Sequence, residues 1–178
     1  MRKSQNAVID RFTEATQIIT SDHSYIHDKK GFSISGIFSG VGSGATVNYA
    51  FKTPTAASGK YIHLKYNEYS ATANRVTMVL YENPTTAPTA GTAITPINRS
   101  RTGTIPASGM QSVASGMTID TTGSTTLTTR AFTSTTAVSL DIEFVLKPDT
   151  WYIRTFTNST GASADISYFE FWYEEDAG

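Results

Sequence analysis

Two histidines four residues apart, His23 and His27, stand between Asp22 and Asp28. On a helix that spacing brings two imidazoles to one side, the beginning of a metal site. A third ligand is missing, because His63 belongs to the polar face of a strand and is expected to be solvated. The histidines are therefore assigned to hydrogen bonding in an extended N-terminal arm, at an interface, and no metal is expected. Asp141 with Glu143, and Glu170 with Glu174, are carboxylate pairs of the kind glycosidases use. Here both pairs read as solvated strand positions, since nothing sets an acid apart from a base. Gly40-Val41-Gly42-Ser43-Gly44 has the letters of a nucleophile elbow in the wrong order, with no helix to follow. It also lacks the lysine of a phosphate loop. Cysteine is absent, which removes thiolate chemistry and disulfides. Tyr61, Tyr69, Trp151, Tyr168 and Trp172 could stack on sugars, but large aromatics in sheets ordinarily fill the core. The chain reads as a non-enzyme without cofactor.

The elements that hold these residues are mostly strands. Of 178 residues, 39% are apolar and 11% aromatic, a composition that folds, while only 16% are charged. Threonine and serine supply 29 and 19 residues. Threonine is β-branched and suits a half-buried strand. From Phe32 onward the chain alternates. Phe32, Ile34 and Phe38, then Val47, Tyr49 and Phe51, then Ile62, Leu64 and Tyr66, then Val76, Met78 and Leu80 mark four strands. Val138 to Leu146, Trp151 to Thr157 and Asp165 to Tyr173 continue the pattern. Residues 83–136 hold four prolines and no acidic residue between Glu82 and Asp120. Proline cannot donate to a central ladder, so short edge strands are expected near Ala93–Ile97, Met117–Thr121 and Leu127–Phe132. Residues 1–20 differ. Val8, Phe12, Ala15 and Ile19 fall on one stripe of a short helix that must dock to be stable.

These elements predict an all-β fold, an antiparallel β-sandwich with jelly-roll topology and a short N-terminal helix and arm. The arm is placed at residues 1–30 and the sandwich at 31–178. Net charge is −1, with basic residues scattered, so no nucleic acid is expected. No apolar run reaches the ~18–20 residues of a membrane span, and no signal segment opens the chain, so nothing marks export.

Four blocks in order carry a resemblance. They are Asp22-His23-Ser24-Tyr25-Ile26-His27 leading to Phe32-Ser33-Ile34-Ser35, Phe51-Lys52-Thr53-Pro54, Gly91 to Arg99, and Glu143 to Tyr152 running on to Arg154, Asn158 and Phe171-Trp172-Tyr173-Glu174. Together they resemble the decoration, or cement, proteins of tailed-bacteriophage capsids, over residues 22–174. The resemblance implies a non-enzymatic virion protein on the outer capsid surface. It also implies a homotrimer, with the major capsid protein as partner. Val8, Phe12, Ile19, His23, Tyr25 and His27 are the candidate contact residues in the arm. The alternative is a carbohydrate- or receptor-binding sandwich of a phage tail or fibre.

Overall fold

The computed structural model describes residues 7–9, 16–18, 21–72, 75–132, 137–140 and 142–176. Strands dominate. The stripe at the N-terminus does not make a helix where it is described: β1 (Ala7–Ile9) and β2 (Thr16–Ile18) pair antiparallel as a hairpin. The helix lies further on, as α1 (Ser21–His27), in the stretch expected to be extended. At Val8, strand pairing between Ala7–Ile9 and Thr16–Ile18, which are rich in β-branched residues, prevails over the helical period; Phe12, Ala15 and Ile19 lie outside the described residues.

Two antiparallel sheets follow. Sheet I contains β3 (Gly31–Val41), β5 (Lys60–Ala71), β8 (Ile97–Asn98), β11 (Val138–Leu140), β12 (Phe144–Leu146) and β14 (Ala164–Asp176). Its order is β11-β5-β14-β3-β8, with β12 also on β5. Sheet II contains β4 (Thr46–Lys52), β6 (Val76–Glu82), β7 (Thr92–Ala93), β9 (Ser112–Ser115), β10 (Thr125–Phe132) and β13 (Trp151–Asn158). Its order is β10-β6-β13-β4-β9-β7. The run expected from Val138 to Leu146 is divided into β11 and β12, and both pair with β5.

Alternation along the strands drives the sheets together. In β6, Val76, Met78 and Leu80 are fully buried and Thr77, Val79 and Tyr81 are not. They meet Ile34, Leu64, Tyr69, Ile166 and Trp172 of sheet I in one cluster with Tyr49, Tyr152 and Phe156. Each such side chain stabilises the fold by about 1.5–3 kcal/mol on transfer from water.

Residues 83–124 connect β6 to β10, which lie side by side. The excursion crosses to the far edge, adding β9 beside β4 and β8 beside β3. Met117–Thr121 forms no strand; Thr118 makes an isolated bridge to Thr89. That segment lies instead over the outer face of sheet II. The Asn48 amide nitrogen donates to the Met117 carbonyl at 2.9 Å, and its oxygen accepts from the Met117 N–H at 3.0 Å. Beneath it Ala50, Ala114, Met117 and Ile153 are buried, flanked by Tyr81, Ile119 and Trp151.

Candidate interaction surface

Of the carboxylates singled out in the sequence, Asp141 lies outside the described residues and Glu143 is exposed, whereas Glu170 and Glu174 are not solvated. Glu170 and Glu174 point into the interior from β14 and are 1% and 2% exposed. Arg154 of β13 meets Glu170 from the opposite sheet, its Nε 3.0 Å and Nη2 2.9 Å from Oε1. Tyr69 donates to the same oxygen at 2.6 Å, and Tyr49 donates to it as well. Burial pushes both phenols well above their ordinary range. Burial disfavours the Arg154 guanidinium, and Glu170 together with Tyr69 and Tyr49 outweighs that penalty and keeps it charged. Glu174 accepts from Lys60 Nζ at 2.9 Å, Ser108 Oγ at 2.6 Å and the Gly109 N–H at 2.8 Å. These groups tie sheet to sheet and loop to sheet. Their lone pairs are spent on protein donors, as buried carboxylates require.

The aromatics divide between faces and form no single platform. Tyr69, Tyr168 and Trp172 belong to the core. Trp151 packs on the outer face of sheet II, and Tyr61 faces outward from sheet I.

The outer face of sheet I is where the arm meets the sandwich. Tyr25 of α1 stacks on Tyr173, ring centroids 3.9 Å apart and planes 8° from parallel. Tyr173 stacks in turn on His63, at 4.5 Å and 14°. The Tyr173 hydroxyl donates to Glu143 Oε1 at 2.6 Å. Burial, then the bond to Glu143, pushes this phenol far above its ordinary range. His63 is 7% exposed rather than solvated, with Nδ1 3.0 Å from Glu143 and Nε2 3.0 Å from Glu175. Ile26 approaches at Gly31, where an added Cβ would lie 3.1 Å from Ile26 and 3.2 Å from Phe171.

Local chemistry ends α1 at this spot. The Lys30 N–H donates to the Tyr25 carbonyl at 2.8 Å and the Lys29 N–H to the Ile26 carbonyl at 3.1 Å, a Schellman closure. Lys29 takes the left-handed position, φ 62°, usually given to glycine. Its ammonium reaches the Thr104 carbonyl at 2.8 Å, fastening α1 to the loop after β8.

Beyond the helix this face carries exposed large apolar side chains. Ile37 is 65% exposed, Val145 61%, Ile97 51% and Tyr61 45%. Register places all four outward: Ile37 opposite Ser167, Val145 opposite His63, Ile97 opposite Ser33 and Tyr61 opposite Glu175. Ile105, 39% exposed, follows Thr104 beside α1. Arg99 lies over the ring of Phe169, 5.5 Å from its centroid.

Of the arm residues expected to make contacts, His23, Tyr25 and His27 come together on α1. The two histidines are exposed, and one Nε2 donates to the other at 2.7 Å. Among the described residues no three His, Cys, Asp or Glu side chains converge as a metal site. Val8 lies in β1, while Phe12 and Ile19 lie outside the described residues. Ile37, Ile97 and Val145 were missed. The signal was present in β14, where Phe169, Phe171 and Tyr173 interleave with Tyr168, Glu170 and Trp172. A strand apolar on alternate positions of both kinds needs cover on both faces. No protein-family model matches this chain, and no curated protein matches it in sequence.

Proposed function

We propose that this chain is a structural protein of a tailed-bacteriophage virion that decorates the outer surface of the assembled capsid. In this reading it self-associates as a trimer, contacts the major capsid protein through the outer face of sheet I and the arm anchored there, and bridges neighbouring capsid subunits. The observation that carries the reading is the concentration of exposed large apolar side chains on that one face and the loop beside it. Large apolar side chains left exposed together on one face support an interaction site there. The strand order supports it: β3-β14-β5-β11/β12 over β4-β13-β6-β10 is how we read a jelly roll, the sandwich of many capsid proteins. The four sequence blocks add their resemblance. A trimer touching several subunits gains affinity through effective concentration, so modest single contacts suffice.

Imaging of purified particles tests this. Density for the chain in hundreds of copies on the head supports decoration; a bare head overturns it. Deleting residues 1–28 is expected to leave a folded sandwich that no longer binds heads. A glycan array is expected to show no sugar preference, and a clear preference would favour a receptor-binding module.

A further inference from the structure

β3 is longer than the strand that covers its outer edge. β8 pairs with Phe32 and Ser33 alone, and the Gly31 carbonyl accepts from the Arg99 N–H on that side. Backbone groups of alternate residues point the same way along a strand. Ser33, Ser35 and Ile37 therefore turn N–H and C=O toward this edge, and Phe32, Ile34, Gly36 and Phe38 turn theirs toward β14. Pairing with β14 keeps one register from Gly31 to Phe38, so nothing reverses that alternation before residue 39. Among the described residues no strand covers Ser35 to Ile37. Exposed edges are ordinarily guarded by lysine, proline or a bulge. Ile34-Ser35-Gly36-Ile37-Phe38 has none of these.

The molecule also holds two strands that lack a third. β1 and β2 pair with each other, and no other described strand joins them. A two-stranded hairpin is marginal in water and needs a further strand or an apolar surface. Residues 19 and 20 separate β2 from α1, and α1 is held on the outer face of sheet I by Tyr25 and Ile26. α1, two residues after β2 in the chain, lies on the face that bears Ile37 and Ile97, and the sequences of β1 and β2 include Val8, Ile9 and Ile18.

We propose that the β1–β2 hairpin of one copy adds to the Ser35–Ile37 edge of β3 in a second copy and covers Ile37 and Ile97. The two surfaces differ, so the contact is heterologous and closes as a ring when the rotation permits, as in a trimer. The inference rests on the self-association in the function proposed above and not on the capsid.

The test uses the purified full-length protein without heads, its mass followed by light scattering against concentration. Ile37→Pro removes an N–H that faces the open edge and leaves pairing with β14 intact. It is expected to weaken self-association at least about tenfold while circular dichroism stays unchanged. Ile37→Thr, which keeps the N–H, is expected to retain more of the association. Because the chain has no cysteine, Val8→Cys with Ile37→Cys offers a single disulfide. Oxidation of mixed isotope-labelled and unlabelled copies is expected to give mixed-label linked peptides. Links within one copy alone, a monomer at every concentration, or assembly indifferent to Ile37→Pro would overturn the inference. Head binding that persists in such a protein would leave the capsid reading standing.

Discussion

The two outer faces of this sandwich have opposite fates. Sheet II is roofed by its own chain, where Asn48 grips Met117 and a small apolar cluster closes over Ala50 and Ile153. Sheet I is roofed along one end by a seven-residue helix and leaves Ile37, Ile97 and Val145 in water. The first cover is a long excursion secured by backbone bonds. The second hangs on a stack of three rings and a lysine cap. A surface covered by a long excursion has its apolar side chains buried, whereas one covered by a short helix leaves several exposed.

The interior that both faces share sets the scale for breaking this contrast. Arg154→Met leaves Glu170 buried without its cation and is expected to cost about 3–5 kcal/mol, measured by urea unfolding. Arg154→Met combined with Glu170→Gln should recover much of that loss, because no buried charge is then left unpaired and the amide oxygen can still accept from Tyr49 and Tyr69. No recovery would mean that the pair does more than satisfy its own charges.

On the sealed face, Ile153→Ala is expected to cost about 2–4 kcal/mol by leaving a cavity. On the open face, Ile37→Ser and Ile97→Ser are expected to stay within about 0.5 kcal/mol and to weaken association instead. Equal losses of stability on the two faces would erase the comparison.

Tyr25→Ala probes the helix cover and is expected to cost about 1 kcal/mol of stacking. It uncovers Tyr173, whose ionisation should move back toward the ordinary phenol range in an ultraviolet titration. In the intact protein Tyr49, Tyr69, Tyr152 and Tyr173 all ionise above that range, burial being the leading cause for each. Unfolded tyrosines lose their protons near pH ~10, so above that the unfolded state binds fewer protons and stability falls as pH rises. Alkaline unfolding is thus expected as a single step with phenolate appearance.

The smallest effect concerns Lys30 and Asp176, 2.8 Å apart at the rim of the open face. The hydrogen bond between them raises the lysine and lowers the carboxylate. Their attraction is lost as pH falls through the folded carboxylate value and again as pH rises through the folded lysine value. Asp176→Asn should change stability slightly between roughly pH 5 and 9 and not at acid extremes. An unchanged profile after Asp176→Asn would show that the pair contributes nothing.

Much of the fold was legible because alternation is local. Phe32/Ile34, Tyr49/Phe51, Ile62/Leu64 and Val76/Met78/Leu80 each announce an inward face, and each is buried. Glu170, Glu174 and His63 were misread as solvated, because a polar residue in a strand looks alike whether water or Arg154, Lys60 or Tyr173 lies above it. The excursion over sheet II left only proline and threonine as signals, and its role depends on Asn48, far away in sequence. The pairing of Ala7–Ile9 with Thr16–Ile18 was hidden by a coincidental helical stripe.

The amino-acid pattern alone therefore determined that this chain is an antiparallel β protein with an apolar interior, since side chains two apart share a face whatever the rest of the chain does. Which outer face is closed, where the charged groups find partners, and which strand edge stays open were decided by tertiary packing. Those outcomes depend on distances between residues remote in sequence, which no local period encodes.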